Sequence, residues 1–430
     1  MRNIEIIKDE LIGESIKRIK HKSGLTVLVC EKELTAFYAL FATKYGSKDN
    51  VFDVDGQRVA VPNGIAHFLE HKLFETEDGR DSFELFSELG ADANAYTGFE
   101  RTAYLFSGTE NFYETLEVLI NMVRTPVFTK ENVKKEQGII AQEIKMCEDR
   151  PSDMRIYGLL SAMFGEGSPF SIPIAGTVQS IAEITPELLY KCYGAFYRMS
   201  NMVLAICGNV DADRIMDIVD RMIDDEPTER ALTVAEPQPL TVFKPLVTAR
   251  AQIAKPIFEI GIKHSAATLD DLAACSMLSA AVFGSCEDFY SGVFEEDLVS
   301  SYRFEYEYLG QGSYFSVQGD SFEPMKVLER FKETVNAVKR DGVSRDAFER
   351  AKRSVYSGEI MDLDDSESIA EGMMDGFVIG QSLIEGIDSV RNVTYEQVNA
   401  LAKELFCEDR IAMSVVYPLE NTGEVNEDEQ

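Results

Sequence analysis

Apolar and polar positions recur with two different periods along this chain. Short, β-branched, apolar runs come first: Gly24 to Cys30, then Ala36 to Thr43 after a break at Glu33-Leu34-Thr35. Runs of that length and composition predict strands. Asn63-Gly64 marks a turn with Asn63 as a helix cap, and Ile65 to Phe74, free of Gly and Pro, predicts a helix. Ser82 to Leu89 predicts a second helix, stopped by Gly90. Thr102 to Ser107 reads as strand again. Asn111 to Val123 and Lys130 to Cys147 carry helical periodicity, the latter capped by Thr129, with Pro151 just beyond its end.

The pattern then repeats. Ile184-Thr185-Pro186-Glu187 leads into Val203 to Ile206 as helix then strand, and Val393-Thr394-Tyr395-Glu396 leads into Ala412 to Val415 in the same order, 209 residues later. Thr129 before a charged amphipathic helix has its counterpart in Ser344 before Arg345 to Val355. A shared offset points to two distant copies of one unit. Strands in early runs followed by helices predict an α+β class, with helices packed on one face of a sheet in each copy. Between the copies, Glu226 to Pro239 carries three prolines and little periodicity. The expected division is a first domain over 1–225, a linker over 226–245, a second domain over 246–419 and a disordered acidic tail over 420–430.

Composition narrows the function classes. With 430 residues, 45% hydrophobic and 27% charged, the chain has a globular balance and is too long for one ordinary core. No run approaches the ~18 consecutive apolar residues of a membrane span, and the first ten residues lack the apolar segment of a secretory signal. Seven scattered cysteines without a C-x-x-C pair predict reduced thiols and a cytoplasmic location. A formal charge of −32 argues against a nucleic-acid partner, keeps the chain soluble, and suits attraction of basic peptides. There are only four histidines, His21, His67, His71 and His264.

Two of the four fall in His67-Phe68-Leu69-Glu70-His71. On a helix, positions i, i+3 and i+4 share one face, so both imidazoles stand one turn apart with Glu70 beside them. This H-x-x-E-H order is the inverse of the H-E-x-x-H zinc motif. Imidazole donors make zinc, Zn2+, the expected ion, and a catalytic zinc keeps three protein ligands. A carboxylate is the expected third ligand. Glu136 and Glu143 lie seven apart on one predicted helix and share a face, with Ile139 and Ile140 between them. Spacing alone leaves both open. With such a site, Glu70 would take the proton from a water attacking a peptide carbonyl and return it to the leaving amine.

These residues resemble the pitrilysin/insulinase-type zinc peptidases, the inverzincins that include mitochondrial processing peptidase. Gly64 to His71 is similar to that family's active-site helix, Leu89-Gly90-Ala91-Asp92-Ala93-Asn94-Ala95-Tyr96-Thr97 to its following loop and strand, and Val133 to Glu143 to its third-ligand helix. Wording such as His71-Lys72-Leu73-Phe74-Glu75 looks most like a bacterial YmfH-like branch. The resemblance implies Glu143 as the metal ligand with His67 and His71, Glu136 as a supporting carboxylate of the catalytic site, and Asn94 and Ala95 on a strand edge that binds substrate. It implies two homologous, mainly antiparallel domains clasping a chamber, the second without the metal motif, acting as a metalloendopeptidase on peptides or unfolded protein segments. Active relatives usually place an Arg and a Tyr seven residues apart in the second half. Here Tyr302 is present as the expected carbonyl-holding, substrate-binding residue, but Glu295 stands where the Arg would be. That departure raises two other readings: a metal-holding subunit completed by a homologous chain in a homodimer or heterodimer, and a non-catalytic peptide-binding module.

Overall fold

The computed structural model describes residues 4–54, 56–76, 79–224, 231–233, 238–265, 269–309 and 312–419. The chain opens with strands β1 (Ile4–Asp9), β2 (Glu14–Lys20), β3 (Thr26–Glu31) and β4 (Phe37–Thr43), then a small hairpin, β5 (Val51–Val54) and β6 (Gln57–Ala60). Helices α1 (Ile65–Lys72) and α2 (Ser82–Glu88) lead to a second hairpin, β7 (Asp92–Thr97) and β8 (Thr102–Gly108). Helices α3 (Phe112–Arg124), α4 (Lys130–Glu148), α5 (Pro151–Phe164), α6 (Val178–Ile181) and α7 (Pro186–Phe196) follow, then β9 (Met202–Gly208) and α8 (Ala212–Met222).

Beyond β10 (Leu232–Thr233), the second half runs β11 (Leu246–Ala251), β12 (Ile257–Lys263), α9 (Leu269–Phe283), α10 (Asp288–Glu295), β13 (Ser301–Glu307) and β14 (Tyr314–Asp320). It ends with α11 (Pro324–Asp341), α12 (Arg345–Asp362), α13 (Ser366–Ile379), α14 (Leu383–Asn392), α15 (Tyr395–Leu405) and β15 (Ile411–Pro418). The expected tail 420–430 lies outside the described residues, as do 226–230 and 234–237 of the expected linker. Within that linker, Leu232 and Thr233 pair with Asp53 and Phe52 of β5.

The two halves build one topology twice. The first sheet runs β1-β2-β3-β9-β4-β8-β7 and the second β11-β15-β12-β14-β13, so the last five strands of the first match the whole of the second. In each, the final strand lies parallel to the first of the five and antiparallel to its other neighbour. The 209-residue offset reappears here. Met202 and Ile411 open those final strands, and Thr185 and Thr394 cap the helices before them, accepting hydrogen bonds from Leu188 N and Gln397 N.

Every residue of β4 and β9 is buried, which needs cover on both faces. One face meets the first half's own core, around Phe41, Leu116 and Ile206. The other is covered by α13, which lies across β9 and β4, while α5 lies across β15, β12 and β11. Each half lends a helix to the other's sheet. This modifies the expectation of helices on one face, because an apolar helix does not encode which sheet it will cover. The fit is close: a Cβ on Gly261 of β12 would stand 3.1 Å from Leu159 and Met163 of α5. Asp270–Glu295 is long and apolar enough to pass as a membrane span by composition, with mean hydropathy 1.2, but it comprises α9 and α10, and 61% of its most apolar window is buried within the protein.

Candidate metal centre

The site begins at a glycine. Gly64 holds the N-cap of α1 at φ 90°, a left-handed conformation that costs other residues ~1–3 kcal/mol. A Cβ there would also lie 2.3 Å from the Ala175 carbonyl oxygen. Asn63 is not the cap: its Oδ1 accepts a hydrogen bond from Asn50 Nδ2 at 2.7 Å. Gly64→Ala is expected to cost at least ~2 kcal/mol and lower the melting temperature measured by circular dichroism.

From that start, α1 buries Ile65, Ala66, Phe68 and Leu69 in the first core. Helical spacing turns His67, Glu70 and His71 the other way. The imidazole centroids stand 4.6 Å apart. Helix α4 supplies the facing carboxylates. Its Thr129–Asn132 capping box fixes where the helix begins, and Val133, Glu136, Ile140 and Ile144 form its buried face. Ile139, by contrast, is exposed.

The helix places its two glutamates differently. Glu143 stands 3.5 Å from His67 Nε2 through one oxygen and 3.5 Å from His71 Nε2 through the other. Glu136 Oε1 lies 3.0 Å from His71 Nδ1, on the far side of that ring. The ligand atoms of His67, His71 and Glu143 all fall within 4.8 Å of one another. Ligands at ~2.0–2.1 Å around a tetrahedral ion are separated by ~3.3–3.4 Å, so the donor set fits zinc. An ionised Glu136 can only accept, so Nδ1 of His71 carries the hydrogen and Nε2 offers its lone pair towards Glu143.

Electrostatics follow this geometry. Burial pulls the His71 pKa down, but the hydrogen bond with Glu136 and the charges of Glu70, Glu136 and Glu143 outweigh it and leave the pKa raised. Burial pushes Glu136 up, yet His71, Lys72 and Lys135 hold it below the usual carboxylate range. Glu143 is lowered by its bond with His67, against burial, with the charges of both histidines and Arg150 adding to the effect.

Glu70 is nearly buried, and its Oε2 accepts a 2.6 Å hydrogen bond from Thr97 Oγ1, the last residue of β7. Sequence reasoning gave Thr97 no role. It also passed over Lys72, which is fully buried, pairs with Glu75 at 2.6 Å and lies 3.7 Å from Glu136, tying the end of α1 to α4. No periodicity marks either residue.

Asn94 and Ala95 lie on β7, an edge strand of the first sheet. Gly98 N donates to Arg101 O across the hairpin. Alternation from that pair turns the backbone groups of Ala93, Ala95 and Thr97 towards the free edge. Asn94 Oδ1 accepts from Ala95 N at 2.9 Å.

Tyr302 is not brought to this site. Its hydroxyl donates to Phe283 O at 2.9 Å, and its ring packs against the second core beside Phe289 and Tyr290. Strand alternation explains this correction. Tyr302, Phe304 and Tyr306 share the face against the second core, which leaves Arg303, Glu305 and Glu307 on the other. The remaining histidines are buried elsewhere: His21 bonds Ser23 Oγ at 2.7 Å, and His264 stands 3.3 Å from the Tyr306 hydroxyl.

Comparison with known proteins agrees with this architecture. The family model described as Insulinase (Peptidase family M16) matches residues 56–177, and that described as Peptidase M16 inactive domain matches residues 183–355. The chain is 36% identical to the uncharacterized zinc protease YmfH of Bacillus subtilis, over 96% of this chain and 99% of that protein. It superposes on the crystal structure of an M16-like peptidase from Alicyclobacillus acidocaldarius with a TM-score of 0.91 and 33% identity, covering 96% of this chain and 100% of the other. A protease from Helicobacter pylori shares the fold, with a TM-score of 0.80 at 17% identity over 94% and 99% of the two chains.

Proposed function

This chain belongs to the insulinase family of peptidases, M16, and on that premise we propose that it is a zinc-dependent metalloendopeptidase hydrolysing peptides or unfolded polypeptide segments. The observation that carries the reading is the convergence of His67, His71 and Glu143 from two helices, with Glu70 on the same face. His67 and His71 through Nε2, and Glu143 through its carboxylate, would hold the ion. When bound, zinc supplies Lewis acidity, lowering the pKa of water and polarising a carbonyl oxygen.

The chain's own groups do the rest. Glu70, fixed by Thr97, accepts the proton of the attacking water and delivers it to the departing amine. Glu136 orients His71. The outward backbone groups of Ala93, Ala95 and Thr97 pair with an extended substrate as an added strand, and an incoming carbonyl replaces Asn94 on Ala95 N. Main-chain pairing tolerates varied side chains, which suits unfolded segments.

Zinc analysis of the purified chain, with cleavage of a quenched peptide library before and after chelation, tests this reading. One zinc per chain is expected, with cleavage lost on chelation and restored by zinc; cleavage that persists without metal sinks it. The Tyr302 hydroxyl, committed to Phe283 O, favours a second reading in which a homologous chain supplies the groups that hold the substrate carbonyl. Specific activity that rises with protein concentration, or on adding such a chain, supports that version. Four buried thiols, Cys30, Cys192, Cys207 and Cys275, suit a reducing, cytoplasmic setting.

A further inference from the structure

The half without the metal motif reaches the site through α13. That helix packs mainly across β9 and β4, and two of its carboxylates reach the β7–β8 hairpin. Tyr96 Oη donates to Glu371 Oε2 at 2.5 Å, and Tyr38 Oη on β4 donates to Glu371 Oε1 at 3.0 Å. One turn on, Asp375 Oδ1 stands 2.9 Å from the Arg101 guanidinium. Tyr96 and Arg101 bracket the hairpin turn, and between them lies Thr97, which fixes Glu70.

Strand alternation makes this a relay. Tyr96 and Thr97 are neighbours in register opposite Ala103 and Thr102, so their side chains leave opposite faces of the sheet. One points to α13 and the other to α1. An edge strand has ladder bonds on only one side, so its position depends on what holds its two faces. The turn itself is anchored from its own half, where Ser47 N and Lys48 N donate to Gly98 O and Phe99 O. Ahead of Thr97 the strand packs Ala93 and Ala95 on the first core, and on its other face Tyr96 is held by Glu371, whose other oxygen is tied to the central strand β4.

We propose that Glu371 and Asp375 are positioning residues for Glu70: through Tyr96 and Arg101 they hold β7 where Thr97 fixes the Glu70 carboxylate and where the edge backbone meets the substrate. The inference rests on the proposed peptidase function. It gives the second half a part in the reaction beyond walling a chamber. A displacement near 1 Å at a catalytic group can cost about 100-fold in rate, so the effect belongs in kcat.

The test uses the zinc-loaded full chain with Tyr96→Phe and Glu371→Ala, Glu371→Gln as the conservative rescue, and exposed Glu367→Gln as a control on the same helix. The first two are expected to lower kcat about 10-fold or more, with KM within about twofold and zinc content unchanged. Glu371→Gln should recover part of the loss, and the control should match wild type. Hydrogen exchange of residues 92–108 is read in parallel and should quicken in Tyr96→Phe and Glu371→Ala. If wild type cleaves no peptide, the reading of a chain active on its own fails, and hairpin exchange alone still decides the clamp. Unchanged kcat, or unchanged exchange in the two variants, overturns the proposal.

Discussion

Glu70→Gln is expected to leave zinc bound while lowering peptide hydrolysis by about 10²–10⁴-fold. The substitution keeps the shape of a nearly buried side chain, so α1 retains its packing. A Gln oxygen can still accept the Thr97 hydroxyl that Glu70 now accepts at 2.6 Å. His67, His71 and Glu143 are untouched. What is lost is a group able to take a proton and give it back. The loss should therefore fall on kcat, with KM close to that of wild type. Metal analysis and hydrolysis rates on the same preparation check both halves of the statement. Retained cleavage with full zinc would move the base to another residue.

How far the site could be read beforehand depended on how far apart its parts lie in sequence. His67, Glu70 and His71 are legible because one helical turn puts them on one face. Glu136 and Glu143 are equally placed by that rule, and only the fold separates them, with Glu143 facing both Nε2 atoms and Glu136 behind His71. A weak signal was present: Glu136 falls on the same stripe as Val133, Ile140 and Ile144, the buried side of α4, where a supporting carboxylate belongs. Tyr302 could have been read correctly from period two alone, because Tyr302-Phe304-Tyr306 is an aromatic stripe of the kind that enters a core. The helix-then-strand order at one shared offset made the duplication legible, and the capping threonines Thr185 and Thr394 keep that offset in the structure. Contacts such as Tyr96 to Glu371, 275 residues apart, carry no local pattern, and neither does the exchange of α5 and α13 between sheets.

The two glutamates of α4 should separate under mutation. On the proposed ligand set, Glu143→Ala is expected to purify without zinc and without activity, since it removes a carboxylate that faces both imidazoles and leaves two ligands where a catalytic zinc needs three. Glu136→Gln should instead weaken zinc binding by about 10–100-fold, the usual cost of losing a partner behind a ligand, and stay active at saturating zinc. Its amide oxygen still accepts from His71 Nδ1, and Lys72 keeps Glu75 at 2.6 Å. The proton supplies a finer check. Zinc must displace it from His71, whose pKa is raised in part by Glu136, so wild-type affinity falls as pH drops through that raised value. Removing the Glu136 charge lowers the His71 pKa, so less proton has to be displaced and the variant's deficit should narrow at lower pH. Zinc titrations at two pH values, set beside activity, read both effects. Zinc retained by Glu143→Ala and lost from Glu136→Gln would exchange the two roles.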